Sequence, residues 1–190
     1  YVKNSAGGRV IDFQKSNLHV VGYSVPVRCQ LSLGELQEHL HSLADYPDAI
    51  PYRASYYNDA WGFCITHEQR QALSEDTYEV LIDSSLEPGH LDYAQALLPG
   101  ASDREVLFST YVCHPSLANN ELSGPVLVST LFGLLRDLPP TRHAFRALFA
   151  PETIGAIVFL SSHHEELKAK VDAGYVVTCA GDDGPFNLKR

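Results

Sequence analysis

The chain has 190 residues, 45% of them hydrophobic and 19% charged, and its 14 Lys and Arg against 23 Asp and Glu give a formal net charge of −9. That length suits one large domain or a domain with a smaller insert, and the hydrophobic fraction is ample for a core. The acidic balance and the scattered basic residues argue against a nucleic-acid or anionic-membrane surface, which needs clustered Lys and Arg. No apolar run reaches the roughly 18 residues needed to cross a bilayer.

In chain order, Gly7-Gly8 marks a turn, and residues 9–13 and 18–27 read as strands. A short helix follows, with Ser32 as its cap, Glu35 completing a capping box, and Leu33, Leu36 and Leu40 at helical spacing. Residues 47–102 change character: they are rich in Tyr, Pro and Gly, and short alternating runs at 61–65 and 78–82 predict a compact β-rich module. Its exit, Leu97-Leu98-Pro99-Gly100-Ala101-Ser102-Asp103, has the composition of a turn and linker.

From Glu105 onwards the pattern is α/β. Residues 105–113 (EVLFSTYVC) form an apolar, β-branched run with the length of a buried strand. Residues 126–135 (VLVSTLFGLL) read as a buried helix, with Ser123 near its cap, Pro125 in its first turn, and Pro139-Pro140 as a firm stop. Residues 145–150 give the next strand, 154–160 and 164–171 two helices, and 175–180 a third strand. Strands separated by helices and ending in polar turns predict a doubly wound, mostly parallel sheet. The expected division is 1–46 for an N-terminal β-hairpin and helix, 47–102 for the small β-rich module, which the family resemblance given below makes an inserted domain, and 103–190 for the α/β core.

Ligands in open α/β sheets collect outside the carboxyl ends of the strands. The three turns expected there contribute His114, Asn119, Asn120 and Glu121, then Glu152, then Asp182 and Asp183. Imidazole and carboxylate ligands suit a metal-assisted hydrolase, with a free carboxylate to activate water. Other histidines carry less. His163-His164-Glu165-Glu166 reads as a solvated helix start, His39 and His41 follow an amphipathic helix, and His19 lies within a predicted strand. His67 follows Trp61-Gly62-Phe63-Cys64, where a β module would present it over the rim. No Gly-x-Ser-x-Gly elbow and no glycine-rich phosphate loop occurs.

The cysteines, at 29, 64, 113 and 179, have no close spacing; they read as reduced, small core residues and predict a cytoplasmic protein. The chain opens on Tyr1, contains no Met and lacks a signal-like start, so an excerpt of a longer protein, incomplete at its C-terminus, is expected.

Several blocks together carry a family resemblance. They are residues 17–27 (NLHVVGYSVPV), 47–52 (PDAIPY), 61–64 (WGFC), 83–89 (DSSLEPG), 109–125 (STYVCHPSLANNELSGP) and 151–155 (PETIG). In this order they resemble the aminopeptidase-like domain of a group of bacterial proteins related to the co-catalytic zinc aminopeptidases and carboxypeptidases. The resemblance implies a β-rich module nested in a peptidase-like domain, and a zinc-dependent hydrolase, with one or two ions, cleaving an amide bond next to a free amino group. His114 falls at the first metal histidine. The related peptidases carry an Asp where Ser116 stands, and their bridging Asp falls on Asn120, with Glu121 adjacent. Glu152 becomes a metal ligand in one alignment and the general base in another, Asp182 or Asp183 would supply the next carboxylate, and the last histidine would lie beyond Arg190. His67 and Asn119 are the substrate-binding candidates. The implied partner is a small molecule or peptide with a free amine, with no nucleic acid or membrane, and homo-oligomerisation is compatible with this. The alternative is an inactive peptidase-like binding or scaffold module, which Asn120, Ser116 and Pro151 at expected carboxylate positions would suit.

Overall fold

A computed structural model describes residues 1–114, 117–185 and 187–188, so the expectation placed on Ser116 lies outside the described residues. The chain is mixed α/β and divides into two compact units, Tyr1–Pro88 and Gly89–Arg190.

The first unit contains β1 (Val2–Lys3), β2 (Arg9–Ile11), β3 (Val27–Ser32), α1 (Leu33–Gln37), β4 (Leu40–His41), β5 (Phe63–Cys64), α2 (His67–Gln71) and β6 (Thr77–Ile82). A four-stranded antiparallel sheet runs in the order β2-β1-β6-β3. Alternate residues of β6 (Tyr78, Val80, Ile82) are buried and pack with Val2, Ile11, Leu36 and Phe63, as the period-2 pattern of a half-buried strand requires. The capping box of α1 forms as expected, with Ser32 Oγ accepting from Glu35 N and the Glu35 carboxylate accepting from Ser32 N. A second box, Thr66 with Gln69, starts α2, a helix the hydrophobic pattern does not announce. Residues 18–26 are not a strand: a 3-10 turn (Asn17–His19) precedes irregular chain up to β3. The expected boundary at 46/47 is crossed by pairing, since β6 lies between β1 and β3. Residues from both sides of that boundary therefore share one sheet and one core.

The second unit contains β7 (Ala94–Leu98), β8 (Glu105–Tyr111), α3 (Ala118–Glu121), α4 (Ser123–Arg136), β9 (Ala144–Ala150), α5 (Ile154–Lys170) and β10 (Val171–Val176). Its sheet order is β10-β8-β9-β7; β10, β8 and β9 are parallel, and β7 closes one edge antiparallel. The expectation of one mostly parallel sheet thus narrows to three strands of this unit. Alternation along β9 sends Ala147 towards Val128 and Phe132 of α4, and Leu148 and Ala150 towards Phe159 and Leu167 of α5. The two helices therefore cover opposite faces.

Two boundaries differ from the sequence reading. The helices expected at 154–160 and 164–171 are one, because Ser161, Ser162 and His163 include no Pro or Gly to break it. β10 follows α5 directly and ends at Val176, so Cys179 lies beyond the strand with φ 50°. No helix among the described residues is long and apolar enough to cross a membrane.

Candidate metal centre

β8, β9 and β10 are parallel, so their carboxyl ends share one rim of the sheet. Past β8 come Cys113 and His114, past β9 comes Glu152, and α3 supplies Glu121. Gly124 allows this packing at the start of α4, because a Cβ there would overlap Thr110 Oγ1 and the Val177 carbonyl. Seated so closely, the helix start fixes the preceding turn that bears Glu121.

The four side chains converge, with one donor atom from each lying within 4.8 Å of the others. His114 Nδ1 lies 2.8 Å from Glu121 Oε1, 3.2 Å from Cys113 Sγ and 3.9 Å from Glu152 Oε2. Glu121 is buried, and its other oxygen accepts the Cys113 backbone N–H at 2.6 Å. Burial works against the Glu121 charge, but the His114 hydrogen bond and the backbone N–H groups of Cys113 and His114 outweigh it and hold the carboxyl below its usual range. Burial pushes the Cys113 thiol up; the Glu152 N–H donated to its sulfur at 3.1 Å works against that, and the Glu121 charge adds to it.

Glu152 owes its position to an unusual turn. Thr153 has φ 58° and ψ −72°, and Ile154 N donates to Glu152 O at 2.6 Å, a γ-turn of the positive-φ kind. A β-branched residue in that region is strained, and such strain concentrates where a side chain must be aimed.

The other expected residues have different surroundings. Asn119 braces the turn after β10, donating to Asp182 Oδ2 and accepting from Gly181 N, each at 2.8 Å. Asp182 also accepts from Gly184 N at 2.8 Å, and Asp183 is exposed; neither joins the converging cluster. Asn120 Nδ2 points to Cys179 Sγ at 3.8 Å, while its Oδ1 is buried with no hydrogen-bond partner among the described residues. His67 belongs to the first unit, where it bonds Ser42 Oγ and Gln71 Nε2 at 3.1 Å each.

The reading of the cysteines as core residues needs correction. Cys64 is buried, but Cys29 and Cys113 are half-buried and Cys179 is exposed. Cys113 is the member of the cluster that sequence reasoning missed. Its signal was adjacency to His114 at the end of a strand, where side chains leave the core for the rim.

Comparison with known proteins agrees with this architecture. A domain of unknown function (DUF2172) matches residues 1–85, nearly the extent of the first compact unit. Over all 190 residues the chain is 47% identical to a Clostridium acetobutylicum protein named "Putative polysaccharide biosynthesis protein with aminopeptidase-like domain", of which it covers 43%. A crystal structure described as a "putative peptidase" from the same organism matches with a TM-score of 0.92 at 47% identity, over 97% of this chain and 43% of that one. The chain therefore spans less than half the length of the relatives it matches. Residues 1–85 thus match the DUF2172 model, and the chain as a whole is similar to a protein named for its aminopeptidase-like domain.

Proposed function

We propose that the protein is a metal-dependent, aminopeptidase-like hydrolase that cleaves an amide bond next to a free amino group. The observation that carries this reading is the convergence of His114, Glu121, Glu152 and Cys113 at the carboxyl rim of a parallel sheet. The donor set fits zinc, which takes His nitrogen, carboxylate oxygen and Cys sulfur. Bound there, the ion would polarise the scissile carbonyl and make a water molecule more acidic.

Each residue then has a task set by its surroundings. Glu121 is buried and kept ionised, so it supplies fixed negative charge, and its hydrogen bond holds the His114 ring. Glu152 has 40% of its side chain exposed and is held on a stiff turn, which suits a base that takes the proton of the attacking water and returns it to the leaving amine. Asn119, Asp182 and Asp183 line the neighbouring turn, where an amine or amide of the substrate would be recognised. The relative's name supports screening aminoacyl amides of amino sugars as well as peptides. Four free cysteines support a cytoplasmic location.

A second reading, a peptidase-like module that binds without hydrolysing, is favoured by one feature: a neutral amide, Asn120, where the related peptidases bridge two metals. Metal analysis by mass spectrometry on the full-length protein separates the two. Zinc near one equivalent, lost in His114→Ala and Glu121→Ala, supports the hydrolase; no zinc, even after incubation with the ion, supports the binding module.

A further inference from the structure

Among the four converging donors, the Cys113 sulfur has so far been given no role of its own. We infer that Cys113 is a metal ligand, so that Cys113, His114 and Glu121 form a single sulfur–nitrogen–oxygen centre while Glu152 stays off the metal as the base. This rests on the metal-centre reading and sharpens it.

Distances support that choice of three. Zinc bonds of about 2.0–2.3 Å in a tetrahedron put donor atoms roughly 3.3–3.8 Å apart. Cys113 Sγ lies 3.2 Å from His114 Nδ1 and 3.7 Å from Glu121 Oε1, close to those edges. His114 Nδ1 and Glu121 Oε1, now hydrogen-bonded at 2.8 Å, need only part by about 0.5 Å to span one. One backbone donor, the Glu152 N–H, already points at the sulfur at 3.1 Å. Glu121 organises the other two, bonding His114 through one oxygen and the Cys113 backbone through the other.

The chemistry follows from the donor types. A thiolate and a carboxylate neutralise one divalent ion, so no bridging Asp and no second metal are required, in keeping with Asn120 at the expected bridging position. Three protein ligands leave a fourth position for water, as catalytic zinc sites do. Sulfur also biases the centre towards zinc and cobalt over magnesium, calcium and manganese.

The test is cobalt substitution of the full-length protein, read by absorption. A thiolate-to-cobalt charge-transfer band should accompany the visible d–d bands in the wild type. It should vanish in Cys113→Ser while the d–d bands remain, and persist in Cys179→Ser. As a second measurement independent of any variant, bound zinc should protect Cys113 of the wild type from alkylation, read by peptide mass mapping. Cobalt bound with d–d bands but no charge-transfer band, a band that survives Cys113→Ser, or alkylation unaffected by zinc would each overturn the assignment and leave the metal centre standing. A wild type that binds neither zinc nor cobalt would overturn the metal centre, and this assignment with it.

Discussion

Arg146 meets Glu105 fork to fork across two parallel strands, Nε to Oε2 at 2.6 Å and Nη2 to Oε1 at 3.0 Å, with both residues buried. The same guanidinium donates to Gln95 Oε1 on β7 at 2.9 Å and to Glu166 Oε1 on α5 at 2.7 Å. One side chain thus ties three strands and a helix. The Glu105 hydrogen bond, opposed by burial, raises the Arg146 pKa above its ordinary value, so the guanidinium stays charged.

Removing one partner strands the other charge in the interior. Arg146→Leu should lower stability by about 3–5 kcal/mol, read from urea unfolding, whereas Glu105→Leu combined with Arg146→Met should recover most of the loss. A single variant within 1 kcal/mol of wild type would show that water reaches this network.

The strained turn at Thr153 predicts a trade of stability against activity. Thr153→Gly should raise unfolding free energy by about 1–3 kcal/mol, because glycine relieves the positive-φ cost. Hydrolysis of an aminoacyl substrate should fall in the same variant, as Glu152 loses its fixed aim. A rise in thermal midpoint with unchanged turnover would separate the strain from the chemistry.

Glu121 and Glu152 should fail differently. Glu152→Gln should keep its zinc and lose turnover by about 10²–10⁴, the usual contribution of a general base. Glu121→Gln should lose the zinc itself. Metal content and rate measured on both variants check this; loss of zinc in Glu152→Gln would return that residue to the ligand set.

Cys64 gives the protein an alkaline weakness. Burial pushes its thiol up from 9.0 to about 11, opposed only in part by Arg53. Between those values the unfolded chain gives up the proton while the folded chain keeps it. The unfolded state therefore binds fewer protons, and stability must fall as pH rises through this window, by at most about 3 kcal/mol. Urea midpoints from pH 8 to 11 should drop more steeply for wild type than for Cys64→Ala, and a thiol reagent should label Cys179 in the native protein but Cys64 only after unfolding.

Much of the second unit was legible because its signals are local. The run from Glu105, the apolar helix after Ser123 and the strand before Pro151 appear as β8, α4 and β9 within a residue or two at most edges. The Ser32–Glu35 capping box was equally readable, and Thr66–Gln69 offered the same sign for α2. Pairing across the chain was not: nothing near Thr77 tells that β6 will lie between β1 and β3. At the site, His114, Glu121 and Glu152 were visible as residue types at strand ends. Cys113 was hidden because a thiol after an apolar run looks like core, and only the geometry shows it facing His114 and Glu121.

The fork between Arg146 and Glu105 has a mechanical consequence for the rim. Residues 105–111 pair one by one with residues 144–150, so the partner chosen at the start of β8 dictates who meets whom at its end, about 20 Å away. Slipping β9 by a single row would carry Glu152 some 3.3 Å past the Cys113 sulfur and turn Arg146 out of its pocket to the other face. The buried ion pair is in this sense a gauge block. It never touches a substrate, yet it sets the alignment on which the base and its neighbours depend.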